Sequence, residues 1–485
     1  MILNFKLIGF VLGLLVLAIG FFMLLCIPTT LSLHDSAWQA LLISGSICIG
    51  IGGFVSIIFN RAKRELKKRD GYAIVTMSWV VMAIFGALPF LISGVVTNPI
   101  HSLFETFSGF TTTGATILDD IDNVPEGILM WRSMTHWIGG MGIIVLAVAI
   151  LPFLGIGGMQ LFSAESPGPS TDKLHPRITE TAKRLWVIYV ALTGLETILL
   201  IIAGMHWFDA INHAMSTMST GGFSTKSASV AHFENPWIHY IIITFMILAG
   251  MNFSMTYFAL KGKLSKIYRN DEFKVYISVI AIVALVSTFI VFMQTDEPSL
   301  EKAFRESLFQ VVAVITTTGF VTADFTAWVP FLTLVFFALM FLGGSAGSTS
   351  GGVKIVRHLI IHRNSINELK RLIHPNAVLP VKFNGKLVNQ KTTYNVLAFF
   401  LIYLLVFVVT SLILGMMDMD IITAMGAGAS CIGNVGPGLG GVGPVENYTI
   451  IPDPGKLVLM VTMLLGRLEI FTVVILFSPV FWKRT

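Results

Sequence analysis

The chain has 485 residues, of which 54% are hydrophobic and only 12% are charged, and its formal net charge is +5 at pH 7. A soluble protein carries about 25% charged residues, because its surface needs them. The composition therefore excludes a soluble globular domain and a disordered chain. A charge of +5 over this length is too weak a field for a nucleic-acid-binding protein. We predict a polytopic membrane protein that binds no nucleic acid.

The apolar stretches and the basic residues together predict the topology. A spanning helix needs about 20 apolar residues, and ten stretches are long enough: 7–30, 38–60, 72–97, 132–154, 185–205, 237–260, 275–293, 328–353, 395–417 and 456–481. Of the 32 basic residues, 26 lie at the two ends or in the connecting segments 61–70, 173–184, 261–274 and 354–391. If all ten stretches cross, these basic residues share one face. The positive-inside rule makes that face cytoplasmic, with both termini inside.

Four shorter apolar stretches lie between the spans, at 101–113, 207–220, 302–318 and 419–435. Counting them as crossings would put basic segments on both faces, so we predict short helices that enter the membrane and return to the outer side. Each ends in a signature of small residues. The signatures are Thr111-Thr112-Thr113-Gly114, Met218-Ser219-Thr220-Gly221-Gly222, Thr316-Thr317-Thr318-Gly319 and Gly433-Asn434-Val435-Gly436.

The order span, short helix, small-residue loop, span occurs four times, which indicates an internal repeat. The predicted repeats are 70–172, 173–270, 271–385 and 386–485, and two extra spans lie before them within 1–69. The fold prediction is therefore an all-α membrane protein with four covalently linked membrane–pore–membrane repeats around a pseudo-four-fold pore.

Loops of this composition suit a dehydrated cation, which needs oxygen atoms in place of its water. Rings of backbone carbonyls supply such oxygens in potassium channels. Glycine allows the backbone dihedrals that turn successive carbonyls toward one axis, and Thr and Ser hydroxyls add oxygens or brace the loop. A single Thr-Thr-Gly sequence is no more than a turn. Four at the same place in four repeats predict a selectivity filter.

At these residues the chain resembles the Trk/Ktr/HKT superfamily of potassium transport proteins, over roughly residues 70–485. The two extra N-terminal spans make it similar to the TrkH branch. The resemblance implies K⁺ as the transported and filter-bound ion, a location in the bacterial inner membrane and no enzyme activity. It aligns the repeat glycine with Gly114, Gly221, Gly319 and Gly436, and four glycines imply K⁺ selectivity. The fourth loop departs by lacking the Thr pair, so only its backbone carbonyls can be equivalent.

The resemblance also implies partners. These are a second copy of the chain in the membrane and a soluble nucleotide-binding ring, similar to TrkA, on the cytoplasmic side. The chain itself has neither a GxGxxG motif after a strand nor a Walker lysine. We therefore expect no organic cofactor, and we expect control of transport to come from the partner. The basic segments also suit the anionic lipid of the bilayer, although simple topology explains them equally well.

Residues 343–352 interrupt the second span of the third repeat. Five of these ten residues are glycines, and each costs a helix about 1 kcal/mol. The segment is Gly343, Gly344, Ser345, Ala346, Gly347, Ser348, Thr349, Ser350, Gly351 and Gly352. An ordinary loop on the inner face is one interpretation, but 328–342 alone is too short to cross. The resemblance implies a gating loop that partly blocks the pore below the filter.

Arg467 lies in the middle of the last predicted span. Arginine at membrane depth is costly and faces a cavity or the protein interior. A structural ion pair is one explanation, but Glu469, two residues on, faces another side of a helix. The sharper hypothesis places the guanidinium in the pore, where it donates hydrogen bonds to carbonyls of 343–352 and holds the gate shut.

Three other features leave functional alternatives open. Residues 117–126 carry four acids and no base, which suits either a solvated loop or a cation-attracting outer mouth. A secondary transporter that couples K⁺ to H⁺ or Na⁺ would need a carboxylate relay, for which Glu105, Glu196 and Glu469 are scattered candidates. An intramembrane serine protease would need Gly-x-Ser-Gly, a pattern that 106–109 and 343–346 both miss.

Overall fold

A computed structural model describes residues 3–62, 67–142, 178–294 and 299–483. Nearly all regular structure in these ranges is helical. The strands in this part of the chain are Lys382–Phe383 and Lys386–Leu387, which form one antiparallel hairpin. The predicted all-α membrane fold is confirmed.

The N-terminus forms a helical hairpin. Helix Phe5–Leu25, extended by Ile27–Ser32, packs against Trp38–Ile58. Glycines let the two backbones approach closely: a Cβ on Gly52 would lie 2.5 Å from the amide nitrogen of Leu17. Small residues at such crossings are typical of helix packing in membranes. These are the two extra spans that the hydropathy predicted.

Each repeat begins with a long helix. The four first helices are Lys68–Gly86 continued by Leu88–Ser93, then Ile178–Ile202, Asp271–Gln294 and Gln390–Gly415. With the N-terminal hairpin, they give six helical segments in the described residues that are long and apolar enough to cross a membrane. These six match the predicted spans in the corresponding places.

The four predicted short helices are also present. We call them short helices 1 to 4: Pro99–Phe110, Trp207–Met218, Leu300–Ile315 and Ile421–Gly433. Side chains cap three of them, because Asn98, Ser299 and Asp420 accept hydrogen bonds from backbone amides of the first turn. Such caps satisfy amide groups that the helix itself leaves without partners.

The second helix of each repeat differs from its prediction. These helices are Glu126–Gly140, Pro236–Gly250, Pro330–Leu339 and Asp453–Arg467, and none exceeds 15 residues. Fifteen residues reach about 22 Å, which is less than the ~30 Å hydrocarbon core. The spans predicted at 237–260 and 456–481 are therefore each broken in the structure and are not single continuous helices. The final part of the predicted span 132–154 lies outside the described residues.

The breaks take three forms. Pro236–Gly250 bends by 109° into Phe253–Leu260. Pro330–Leu339 leads into the glycine-rich loop, as predicted, and the chain becomes helical again at Ile355–Ile373. Asp453–Arg467 ends before Glu469 and Ile470, whose φ angles are +54° and +55°. The remaining helices are Ser265–Tyr268, Phe471–Phe477 and Pro479–Trp482, with 3₁₀ turns at Ser229–His232, Gly440–Val442 and Tyr448–Ile450.

Close backbone contacts explain why glycines lie where second helices end. A Cβ on Gly139 would lie 1.9 Å from the carbonyl oxygen of Phe110, the last residue of short helix 1. In the fourth repeat, a Cβ on Gly466 would lie 2.1 Å from the carbonyl oxygen of Ile432 in short helix 4. In repeats 1 and 4 the second helix thus ends directly against the end of the short helix, and this contact helps to position the loop that follows.

Replacing Gly139 with alanine tests this contact. We expect Gly139→Ala to lower the thermal unfolding midpoint of the purified protein, because neither backbone can retreat and overpacking costs about 1–3 kcal/mol. Gly50→Ala is the matched control, since no atom lies within 4 Å of the added Cβ. Its midpoint is expected to stay the same or rise. Equal midpoints for the two variants would contradict the close contact.

Candidate functional site

Each short helix ends in the same hydrogen-bonded cap. The amide of Thr113 donates to the carbonyl of Ser108 at 2.9 Å, five residues back, and the amide of Thr112 donates to Gly109 at 3.0 Å. This pair of bonds is a Schellman motif. The five-residue bond recurs in the other three repeats: Gly221 to Ser216 at 2.8 Å, Thr318 to Ala313 at 2.8 Å and Val435 to Ser430 at 2.9 Å.

The cap places an unusual residue in the left-handed region. Such caps use glycine there by preference, but this chain has Thr112, Thr220, Thr317 and Asn434, with φ angles of +53°, +55°, +56° and +52°. A β-branched residue at positive φ is an outlier, and such strain gathers at functional sites. The backbone is therefore held in this form by its surroundings rather than by local preference.

The caps also correct the predicted alignment of the second loop. The residue two places after the left-handed one is a glycine with positive φ in all four repeats: Gly114, Gly222, Gly319 and Gly436, at +82°, +83°, +75° and +99°. The predicted equivalent, Gly221, is one residue too early. Gly221 corresponds instead to Thr113, Thr318 and Val435, the residues that precede the glycine. Because Gly221 and Gly222 are adjacent, the sequence alone does not show which of them is equivalent to the glycines of the other loops. The hydrogen bonds of the cap identify Gly222.

The four loops form a closed ring around an axis. A Cβ on Gly114 would lie 2.2 Å from the carbonyl oxygen of Gly221, and one on Gly222 would lie 1.9 Å from that of Thr318. The same relation continues around the ring: a Cβ on Gly319 would lie 2.0 Å from the carbonyl oxygen of Val435, and one on Gly436 would lie 2.7 Å from that of Thr113. Each glycine therefore faces the next loop's carbonyl, and any side chain there would strike backbone.

Side chains brace the ring unequally. The hydroxyls of Thr111 and Thr113 lie 2.7 Å apart, and those of Thr316 and Thr318 lie 2.8 Å apart. In the fourth loop Asn434 takes a different role: its amide nitrogen donates to the Thr113 hydroxyl and to the carbonyl of Met463, both at 3.0 Å. The backbone conformation therefore repeats in all four loops, whereas the side-chain contacts do not. The absence of the Thr pair from the fourth loop predicted this difference.

A pocket lies on the outer side of the ring, and its lining carries both signs of charge. Asp119 and Glu446 line it, but so do Arg132 and Lys226. Of the four acids in 117–126, Asp119 lines this pocket. Asp122 lies 3.9 Å from Lys226. Although partial burial raises the pKa of Asp122, hydrogen bonds from Ser227 and the charge of Lys226 outweigh this effect and lower it below its ordinary value.

The glycine-rich loop 343–352 lies against the inner side of the ring. The amide of Gly351 donates to the Thr317 hydroxyl at 2.7 Å, and the Thr349 hydroxyl donates to the carbonyl of Met218 at 3.0 Å. A Cβ on Gly351 would lie 2.5 Å from the carbonyl oxygen of Gly433. The loop thus contacts the inner ends of short helices 2 and 4 and the third ring loop.

The loop is also fastened to the second helix of repeat 2. The amide of Ser345 donates to the carbonyl of Gly250 at 2.8 Å, and the amide of Thr349 reaches the carbonyl of Ala249 at 3.4 Å. In return, the amide of Phe253 donates to the carbonyl of Gly347 at 3.1 Å. The 109° bend after Gly250 exposes the backbone groups that hold the loop.

Arg467 connects the loop to the opposite side of the ring. Its guanidinium donates to the carbonyl of Thr349 at 2.7 Å and to the carbonyl of Gly139 at 2.8 Å. The hydrogen bond to the loop is the one that the sequence hypothesis expected. Arg467 also ends a helix, where the dipole favours a cation. Its effect on ion flow stays a prediction.

Several charged residues around the loop were missed in the sequence. One carboxylate oxygen of Glu272 accepts hydrogen bonds from the amides of Ala346 at 2.7 Å and Val356 at 3.2 Å, so it joins both ends of the loop. Lys354 donates to the carbonyl of Ser350. Glu272 lies in the first turn of its helix, where an acid is commonplace, and no local pattern identifies its distant partners.

The three carboxylates considered for a proton relay have separate environments. Glu105 is buried in an ion pair with Arg132 at 2.6 Å and also accepts from the amide of Ile117. Glu469 pairs with Arg357. Glu196 is fully buried beside Thr217. Two of the three candidates are therefore held by arginines.

Comparison with known proteins identifies relatives along the whole chain. The TrkH family, described as a cation transport protein, matches residues 37–484. The Trk system potassium uptake protein TrkH of Salmonella typhimurium is 41% identical over 484 residues, which cover 99% of this chain and 100% of the relative. TrkG of Escherichia coli, also named a Trk system potassium uptake protein, is 38% identical over 90% of each chain.

A solved structure matches equally well. The crystal structure of the potassium transporter TrkH from Vibrio parahaemolyticus superposes with a TM-score of 0.89 and 39% sequence identity. The match covers 99% of this chain and 100% of the other.

Glu272 provides a test of how the loop is held. We expect Glu272→Ala to speed amide hydrogen exchange in peptides covering 343–356, because the amides of Ala346 and Val356 lose their acceptor. Glu272→Gln retains an oxygen that can accept these hydrogen bonds, so its exchange rate in the same peptides is expected to stay closer to that of the wild type. Mass spectrometry of the purified protein measures both. Unchanged exchange in Glu272→Ala, or an equal change in short helix 4, would contradict this anchor.

Proposed function

Because the chain belongs to the TrkH family of cation transport proteins, and is a membrane transport protein rather than an enzyme, we propose that it conducts potassium selectively. The proposed direction is uptake across the inner membrane of a bacterium, with the basic face and both termini in the cytoplasm. The observation that carries the proposal is the closed ring in which four backbone carbonyls approach four glycines.

The ring supplies what a dehydrated cation needs. We assign the ion-binding carbonyls to Thr113, Gly221, Thr318 and Val435, whose oxygens replace water around K⁺. The filter in this proposal comprises 111–114, 219–222, 316–319 and 434–436. The short helices end at the ring, and their C-terminal carbonyls add partial negative charge that favours a cation.

A second layer of oxygens lies one residue before the carbonyl ring. At this level the hydroxyl of Thr112 and the side-chain oxygen of Asn434 are buried and have no hydrogen-bond partner in the described part of the chain. A buried acceptor without a partner is costly, and a passing cation removes that cost. We therefore include these two oxygens in the ion pathway.

The loop 343–352 serves as the gate in this proposal. It lies against the inner side of the ring and is held by Gly250, Glu272 and Arg467. A guanidinium at this depth repels cations while it bonds to the loop. Opening then requires the bonds from Arg467 to Thr349 and Gly139 to break together, so that the loop and the charge leave the pathway in one step.

External control of this gate is also part of the proposal. A membrane homodimer and a soluble, TrkA-like nucleotide-binding ring on the cytoplasmic face are the partners we assign, since the sequence has no nucleotide motif of its own. The names of the relatives, each described as part of a Trk system, support a multi-component assembly.

Passive conduction is favoured over coupling to protons, because two of the three candidate carboxylates, Glu105 and Glu469, are held in ion pairs and Glu196 alone makes no relay. Purified protein in liposomes decides between the two. The proposal predicts K⁺ flux down its own gradient. Uphill K⁺ accumulation driven by a pH gradient alone would contradict it and favour a coupled transporter.

Gly222 tests the corrected register of the filter. We expect Gly222→Ser to reduce the K⁺/Na⁺ permeability ratio about tenfold, equivalent to ~1.4 kcal/mol, because its Cβ would lie 1.9 Å from the Thr318 carbonyl oxygen. Gly194→Ser is the control, since open space surrounds an added Cβ there. Ion flux in liposomes with paired K⁺ and Na⁺ gradients gives the ratio. A folded Gly222→Ser protein with wild-type selectivity would remove this loop from the filter.

Arg467 tests the gate. We expect Arg467→Ala to raise K⁺ flux severalfold in the absence of any partner, because the loop loses its bond and the pathway loses a positive charge. Arg467→Lys keeps the charge without the planar set of donors, so its flux is expected to fall between those of Arg467→Ala and the wild type. Flux at or below the wild-type level in well-folded Arg467→Ala protein would indicate a purely structural arginine.

A further inference from the structure

The bend after Gly250 leads into a segment of two short helices with exposed apolar side chains. We define the interfacial segment as residues 253–270, which contains helices Phe253–Leu260 and Ser265–Tyr268. Its first helix turns 109° away from Pro236–Gly250. If the preceding helix crosses the bilayer, the interfacial segment lies nearly parallel to the membrane surface. It leaves large apolar side chains uncovered, with Leu260 72% exposed and Leu264 50% exposed.

The charge on this segment has one sign. Residues 253–270 contain Lys261, Lys263, Lys266 and Arg269 and no acid. An apolar edge combined with basic residues is typical of helices that bind the interface of an anionic membrane. The segment belongs to the face that the distribution of basic residues makes cytoplasmic, where anionic lipids attract such clusters.

Three cations of this region converge on two aromatic rings. Arg184, from the first helix of repeat 2, donates to the hydroxyl of Tyr257 at 2.8 Å, and the ammonium of Lys261 lies 4.8 Å from the centre of the same ring. The ammonium of Lys266 lies 4.3 Å from the centre of the Phe258 ring. None of Arg184, Lys261 and Lys266 forms an ion pair with a carboxylate in the described part of the chain. Two cations beside one ring repel each other, and an anion between them would relieve that repulsion.

We propose that Arg184, Lys261 and Lys266 form a binding site for the phosphate of an anionic phospholipid, whose acyl chains lie along Leu260 and Leu264. The chemistry of the site favours a lipid over a soluble phosphate, because the cations border an exposed apolar edge. The site is continuous with the gate loop. Phe253 begins the interfacial segment, and its amide holds the carbonyl of Gly347 at 3.1 Å.

This continuity assigns the lipid a regulatory effect, which rests on the proposed gating function of the loop. A bound headgroup fixes the interfacial segment against the membrane surface. The segment in turn holds Gly347, and the loop stays against the ring. Anionic lipid therefore stabilises the closed pathway in the absence of the soluble partner.

Lipid retention tests the site independently of ion flow. The full-length protein is purified in neutral detergent with phosphatidylglycerol or phosphatidylcholine, and native mass spectrometry counts the lipids that stay bound. We expect Lys261→Gln/Lys266→Gln to lose severalfold more phosphatidylglycerol than the control pair Lys382→Gln/Lys386→Gln. The control removes the same charge from the exposed hairpin on the same face. Equal retention by the two pairs would overturn the site.

Flux then tests the regulatory effect. In vesicles that contain phosphatidylglycerol, we expect lower K⁺ flux than in pure phosphatidylcholine, and we expect Lys261→Gln/Lys266→Gln to remove the difference while the control pair keeps it. If phosphatidylglycerol still lowers K⁺ flux in the Lys261→Gln/Lys266→Gln variant, the proposed effect of this lipid site on the loop is wrong. The same inhibition by free glycerol phosphate would overturn the assignment to a lipid. If no variant and no wild-type protein conducts, the proposed function fails while the retention result stands.

Discussion

The close approach of four loops to one another is the constraint on which the rest of the molecule depends. Each glycine at positive φ faces the carbonyl of the next loop at a distance that admits no Cβ. The same type of helix cap fixes the position of those carbonyls in all four loops. In each cap a threonine or an asparagine adopts the left-handed conformation that a glycine normally takes there. Such strain persists only where the surroundings over-determine the backbone. Here the surroundings are the other three loops and the ends of the second helices.

The broken second helices serve this arrangement. Gly139 and Gly466 bring their helices directly against the short helices, and in repeat 4 the positive φ angles of Glu469 and Ile470 then break the helix. In repeat 3 the break becomes a loop that contacts the ring from the inside, and in repeat 4 it leaves Arg467 at a helix end beside that loop. The interruptions in repeats 3 and 4 therefore produce both the loop 343–352 and the arginine that donates to it. In repeat 2 the bend after Gly250 leads into the interfacial segment, whose first amide donates to Gly347 of the same loop.

Hydropathy and small-residue signatures predicted the features that repeat: the four short helices, the loops that follow them and the position of 343–352. Hydropathy and these signatures did not predict the features that depend on backbone contacts, namely the register of the second loop and the breaks in the second helices. Gly221 and Gly222 are indistinguishable as letters, and only the bond from the Gly221 amide to Ser216 fixes the register. An apolar stretch such as 456–481 does not reveal a break at Glu469, because the break depends on backbone dihedrals. Glu272 escaped notice because its partners lie more than seventy residues away.

We propose that the carbonyls of Thr113, Gly221, Thr318 and Val435 bind the transported cation on the axis between them. The most direct measurement is the anomalous scattering of crystals grown with Rb⁺ or Tl⁺ in place of K⁺. We expect a peak on the axis, coordinated by these four oxygens, that weakens in Gly222→Ser protein. A well-ordered ring without such a peak, and with the bound ions elsewhere in the chain, would contradict it.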